Sequence, residues 1–147
     1  MNESVFVRPM AAADIAGARL LLDQLGYDLT PTEIRRRYAV IANTTGHAIL
    51  LAECEARPVG LVHFYVRPAL DKPPEVIVQA IVIDAAYRGR GIGKILMSAA
   101  EGWASERGYN SVALYSNVSR SGAHSFYETL GYQLIATSHL FRRKLGK

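Results

Sequence analysis

The chain carries one cysteine, Cys54, in 147 residues. A lone cysteine forms no internal disulfide and no cysteine-based zinc spacing, and it accords with a reducing compartment. Six prolines and 12 glycines are too few for a collagen-like or Pro/Gly-rich disordered chain. Long hydrophobic runs are missing: stretches such as residues 48–52 and 76–78 fall far short of the roughly 20 residues that cross a bilayer. The first residues lack a charged segment followed by an apolar one, so a secretory signal is not expected. A strong charge of one sign is missing as well. The net charge is +4, yet Arg142, Arg143, Lys144 and Lys147 near the C-terminus leave 13 basic against 13 acidic residues elsewhere. The broad basic stripe of a nucleic-acid-binding surface is not evident, which argues against a nucleic-acid partner. The expectation is a cytoplasmic protein with no membrane association and no metal.

What is present is a core. Half of the residues are hydrophobic and 20 % are charged, enough for one domain over residues 1–147 to fold without a staple. Ile15, Ala18, Leu21, Leu22 and Leu25 recur at helical spacing and stop at Gly26. Thr30, Pro31 and Glu33 read as the N-cap, first turn and capping-box partner of a second helix. Residues 5–7, 47–55, 59–66, 76–83 and 111–115 read as strands, with a hairpin turn at Ala56, Arg57 and Pro58. Residues 91–107 carry the best apolar stripe, and Ser121 opens a further helix closed by Gly131. Residues 132–145 read as one or two final strands. The order β-α-α-β-β-β-α-β-α-β-β predicts an α/β (α+β) fold with a mixed central sheet of six to seven strands flanked by helices.

The chemistry concentrates where strand 76–83 runs into the strongest helix through Arg88, Gly89, Arg90, Gly91, Ile92, Gly93 and Lys94. Glycines permit positive φ and close approach of a ligand to the backbone. The N–H groups that open a helix are unpaired and the helix dipole favours an anion there. Three cations interleaved with three glycines therefore read as a pyrophosphate cradle. The Walker pattern fails, because Arg88 stands at its first glycine and Ile95 follows Lys94; the dinucleotide pattern fails because Lys94 or Leu96 stands at its third glycine.

Arg88-x-x-Gly91-x-Gly93 resembles the acyl-CoA pyrophosphate motif of the GNAT superfamily of N-acetyltransferases. Ala123, Phe126, Tyr127, Glu128, Leu130, Gly131 and Tyr132 resemble a second motif of that superfamily, and the element order is also similar. The resemblance implies acetyl-CoA as cosubstrate. Its phosphates would rest on residues 88–94, and its pantetheine would pair with the strand edge at Ile81, Val82 and Ile83. A backbone N–H of that strand would stabilise the oxyanion. Tyr127 would protonate the leaving thiolate as general acid and also contact the cofactor. A tyrosine pKa of about 10 against about 8.5 for a thiol makes that proton transfer feasible.

Two departures from the family pattern bear on mechanism. Where many relatives carry a basic Glu on the central strand, this chain has Gln79 and Ile77. Glu75 at the strand mouth and His63, with its intrinsic pKa of about 6.5, are the alternative bases. Where many relatives carry a cofactor-binding Asn, this chain has Arg120, with Asn117 nearby. The acceptor is expected to be a small amine or a protein amine, walled by Tyr27, Asp28, Tyr38, Gln79 and the proline-rich loop over residues 67–75. A non-catalytic acyl-CoA-binding or sensing domain is the rival reading. A toxin-type enzyme acetylating aminoacyl-tRNA is a third, disfavoured by the neutral body of the chain. By analogy with the superfamily a homodimer is expected.

Overall fold

A computed structural model describes residues 4–117 and 121–146. The chain divides into two compact units, Met1–Tyr115 and Ser116–Lys147. The first unit contains β1 (Val5–Pro9), a 3-10 turn (Ala12–Asp14), α1 (Ile15–Gln24), α2 (Pro31–Ala42), β2 (His47–Cys54), β3 (Arg57–Arg67) and β4 (Glu75–Ile83). A second 3-10 turn (Ala85–Tyr87), α3 (Ile92–Glu106) and β5 (Val112–Leu114) complete it. The second unit contains α4 (Ser121–Thr129).

The five strands form one sheet in the order β1-β2-β3-β4-β5. The first three pairings are antiparallel, and β4 with β5 is parallel. Strand alternation sends successive side chains to opposite faces, and β3 shows how this builds three layers. Leu61 packs with Ile15, Ala18, Leu21 and Ile34 of α1 and α2. On the other face Gly60 lies under Leu96 and Ile92 of α3, and Phe64 meets Trp103 edge-on at 5.2 Å. The α3 stripe of Ile92, Leu96, Met97, Ala100 and Ala104 is buried as its periodicity predicts. The α2 start also forms as predicted: Thr30 Oγ1 accepts from Glu33 N at 3.1 Å, and Thr30 N donates to Glu33 Oε1 at 3.2 Å.

The sheet corrects the expected strand count. Residues 132–146 form no strand, so five strands are seen among the described residues rather than six or seven. A strand exists only with a hydrogen-bonded neighbour, and apolar alternation in this segment does not by itself supply one; Leu134, Ile135, Leu140 and Phe141 are exposed. The β2–β3 turn sits one residue earlier than predicted. Glu55 and Ala56 occupy it with φ of 52° and 62°, and Arg57 and Pro58 belong to β3. A two-residue hairpin of this kind has left-handed backbone at both central positions, which matches the strand twist. Proline is tolerated in the ladder because Pro58 pairs with Glu53 just where the β2–β3 register shifts.

Beside α1, Arg8 ties β1 to its neighbours. Its guanidinium donates to both oxygens of buried Asp14, at 2.8 and 2.9 Å, and to Glu53 Oε1 at 2.8 Å. Asp14 also accepts from Ala11 N at 2.8 Å. The Arg8 pairing, opposed in part by burial, holds the Asp14 carboxyl below the usual carboxylate range. Because the folded form binds that proton more weakly, the stability it contributes is present above the ordinary carboxylate range and is lost as pH falls below it. Arg8→Met leaves a buried carboxylate short of donors, and chemical denaturation should show a loss of about 2 kcal/mol. An unchanged unfolding midpoint would remove this triad from the stabilising contacts.

Candidate active site

The candidate anion cradle is a strand-to-helix turn. At the end of β4, Asp84 N donates to Val59 O at 2.8 Å, and the Asp84 carboxylate accepts from Ala86 N at 3.0 Å. Gln24 of α1 reaches across to accept from Ala85 N at 2.8 Å. Arg57 pairs with Asp84 at 3.3 Å, and the Tyr87 ring lies 4.9 Å from the Arg90 guanidinium. These contacts fix the entry to α3. Gly89 and Gly91 follow with φ of 78° and 81°. Both adopt the left-handed region that L side chains rarely enter, and a Cβ at either position would meet open space. Backbone direction thus demands the glycines, and the room beside them is left open by the described residues.

Ile95 N donates the first backbone bond of α3, to Gly91 O at 3.1 Å. The N–H groups of Ile92, Gly93 and Lys94 precede the ladder and point out of the helix end. Arg88, Arg90 and Lys94 are exposed around them. Arg88 is steadied by its Nε, which donates to Ile83 O at 3.2 Å. This cationic helix start is suited to a diphosphate.

Among the described residues the adjoining strand edge carries no strand partner beyond Val78. β4 pairs with β3 along Gly60–Ile83, Leu61–Val82, Val62–Ile81 and His63–Ala80. On its other side the parallel ladder with β5 is short: Val76, Ile77 and Val78 pair with Val112, Ala113 and Leu114. Beyond Val78 no residue of β5 pairs with Gln79, Ala80, Ile81, Val82 or Ile83. Backbone groups along this edge are disposed to pair with an extended ligand, as in strand addition. The open edge leads to the cradle, since Ile83 is the last β4 residue before the turn.

A cavity of about 340 Å³ lies against α1, α2 and the middle of the sheet. Tyr27, Arg37, Tyr38, His63, Gln79 and Ala80 are among its lining residues. The β3–β4 register shifts between His63 and Phe64, which pair with Ala80 and Val78 and leave Gln79 as the extra residue. This bulge bends β4 where its β5 ladder has ended. His63 Nε2 lies 3.1 Å from His47 Nδ1 across the β2–β3 hairpin. The His47 ring stacks on Tyr65 at 5.1 Å. Burial, and then the neighbouring His47, push the His63 imidazole down to about 4, so it is neutral at pH 7.

The sequence candidates separate accordingly. His63, Gln79 and Tyr27 line the cavity, and Asp28 does not. Glu75 does not line it either, and both of its oxygens are engaged: Oε1 with Arg67 at 3.1 Å, and Oε2 accepting from Ser111 Oγ at 2.8 Å. In the second unit Tyr127 is half-buried, with Phe126 and Tyr132 rings at 5.2 and 6.2 Å. The Asn117 carbonyl lies 3.0 Å from His124 Nε2. Arg120 lies outside the described residues. Sequence reasoning misses His47 and Arg37. The hairpin is the signal that brings His47 toward His63, but its register depends on a shift between Ala52 and Glu53 that no motif marks.

The sequence profile of the Acetyltransferase (GNAT) family matches residues 18–132. The chain belongs to the GNAT acetyltransferase family. Among curated relatives, N-alpha-acetyltransferase 80 of Mus musculus is 35 % identical to this GNAT chain over 79 residues, 54 % of this chain and 24 % of that protein. The uncharacterized N-acetyltransferase YhdJ of Bacillus subtilis (strain 168) is 31 % identical over 107 residues, 72 % of this chain and 66 % of that protein. The chain thus spans from about a quarter to just under two thirds of these relatives' lengths. The solved structure of aminoglycoside N-acetyltransferase AAC(6')-Iy in complex with CoA is similar in fold, with a TM-score of 0.89 over 99 % of this chain and 98 % of that one at 18 % identity. No helix among the described residues of this GNAT chain is long and apolar enough to cross a membrane, and no cluster of metal-ligating side chains is found among them.

Proposed function

We propose that this GNAT domain transfers an acetyl group from acetyl-CoA to a primary amine by direct attack. The observation that carries the reading is the continuity of the open β4 edge with the cationic glycine turn of α3. Arg88, Arg90, Lys94 and the first N–H groups of α3 hold the diphosphate. The backbone of Ile81, Val82 and Ile83 holds the pantetheine. Acetyl-CoA supplies an activated acyl group whose leaving atom is a thiolate sulfur.

His63 is the base in this reading. It is neutral at pH 7, it lines the cavity beside the β4 bulge, and the usual carboxylate is replaced by Gln79. With Nε2–H donated to His47 Nδ1, the lone pair of His63 is on Nδ1. The acceptor enters as its neutral amine. Its nitrogen bonds to the acyl carbon and, made acidic by the positive charge it then carries, gives a proton to His63, a base weakened by its low pKa. The carbon–sulfur bond breaks, and Tyr127 gives its phenolic proton to the departing sulfur, to be recharged from solvent. The products are the acetylated amine and free CoA thiol.

Thiol release on mixing the protein, acetyl-CoA and an amine panel tests the reaction; binding of CoA with no thiol release on any amine overturns it. Tyr127→Phe should lower kcat by on the order of 100-fold while leaving the calorimetric affinity for CoA within about twofold. Equal losses in both would make Tyr127 a packing residue.

A further inference from the structure

The cavity beside the β4 bulge is built mainly of apolar side chains. Met10, Leu22, Leu29, Ile34, Ile41 and Ile49, drawn from both helices, the sheet and their connections, form most of its apolar wall. The volume of about 340 Å³ is roughly twice the ~150 Å³ that accepts a benzene ring. Its polar groups are few. Tyr38 O–H is already donated to Met10 O at 3.0 Å, and His63 faces His47.

Charge decides what this cavity admits. No aspartate or glutamate among the described residues lines it. Among those residues its one fixed charge is Arg37, whose pairing with Glu33 is long, at 3.7 Å. A second ammonium group carried in against the apolar wall would meet no lining carboxylate to pair with among the described residues, and the one lining charge, Arg37, is of its own sign. Burying an unpaired cation is costly, whereas an aromatic or branched hydrocarbon gains from every apolar surface it covers.

We propose that the acceptor is a small monoamine with an aromatic or branched apolar body and no second cationic centre. This rests on the transferase reading, which supplies the reason for an amine. Its nitrogen sits toward His63 and Gln79, and its hydrocarbon body fills the space between α1, α2 and the sheet.

The test compares 2-phenylethylamine and isoamylamine with spermidine and kanamycin at equal concentration, using the full chain and acetyl-CoA with free thiol as readout. The two monoamines should show kcat/KM at least tenfold above the polycations. Equal rates, or preference for either polycation, overturn the acceptor class and leave the transferase reading standing. Calorimetry of 2-phenylethylamine in the presence of CoA separates the two ideas. Binding without thiol release from any amine keeps the ligand class for the cavity and overturns the transferase reading; absence of both binding and turnover overturns the acceptor class. Tyr27→Asp places a carboxylate in the lining at a residue 55 % exposed, where folding is spared. It should narrow the monoamine preference at least threefold, and an unchanged ratio counts against the charge argument.

Discussion

Gly91→Val should raise the Kd for CoA by on the order of 100-fold while the protein remains folded. Gly91 is the N-cap of α3 with φ of 81° and ψ of 9°. For an L residue this region costs about 1–2 kcal/mol, and a β-branched one is an outlier there. Two responses are open to the chain, and both harm binding. Either the turn keeps its shape with a branched side chain projecting into the space beside the cradle, or φ turns negative and the N–H groups opening α3 are re-aimed. Loss of two charge-assisted hydrogen bonds at about 1.5 kcal/mol each corresponds to roughly 100-fold in affinity. Thermal unfolding provides the control for folding. Unchanged affinity in a calorimetric titration would remove the diphosphate from this turn.

His63→Gln should lower kcat by about 100-fold or more, the usual scale for removing a positioned base, with little change in CoA affinity. The groups around His63 fix the pH behaviour: His47 from β2, Tyr65 on β3, Gln79 from β4, and Arg37 and Tyr38 from α2. No carboxylate lines the cavity with it among the described residues, so burial and His47 govern, and the imidazole titrates at about 4. Rate profiles of the wild type should therefore show no loss of base function between about pH 7 and pH 5 beyond that from protonation of the acceptor amine. Stability moves in the same window. The unfolded chain takes up this proton near 6.5 and the folded chain only near 4, so the unfolded state binds more protons between those values. Stability is fully present above about pH 6.5 and declines as pH falls toward about 4. His63→Gln should flatten that part of the stability profile. A kcat within threefold of wild type would remove His63 as the base.

Signals carry over well where the physics is local. The Thr30 cap, the α3 stripe and the glycine turn depend on neighbours a few residues apart, and each forms within one or two residues of its predicted position. The backbone turn over residues 88–94 is legible for the same reason. Over residues 132–146 the apolar alternation announces a strand face but not a pairing partner, and no strand forms there. Glu75 looks available in the sequence, which does not reveal that Arg67 and Ser111 occupy its two oxygens.

The elements from β1 to α4, the glycine turn that opens α3 and the absence of a carboxylate at position 79 follow from residue type and near spacing, and the linear chain specifies them alone. Long-range packing settled the rest. It ended the β4–β5 ladder at Val78, bulged β4 at Gln79, and brought His47 within hydrogen-bonding distance of His63. It also joined side chains from two helices and three strands into one wall in which, among the described residues, only Arg37 carries a fixed charge. These outcomes depend on register and on contacts between residues far apart in the chain, which hydrophobic periodicity leaves unspecified.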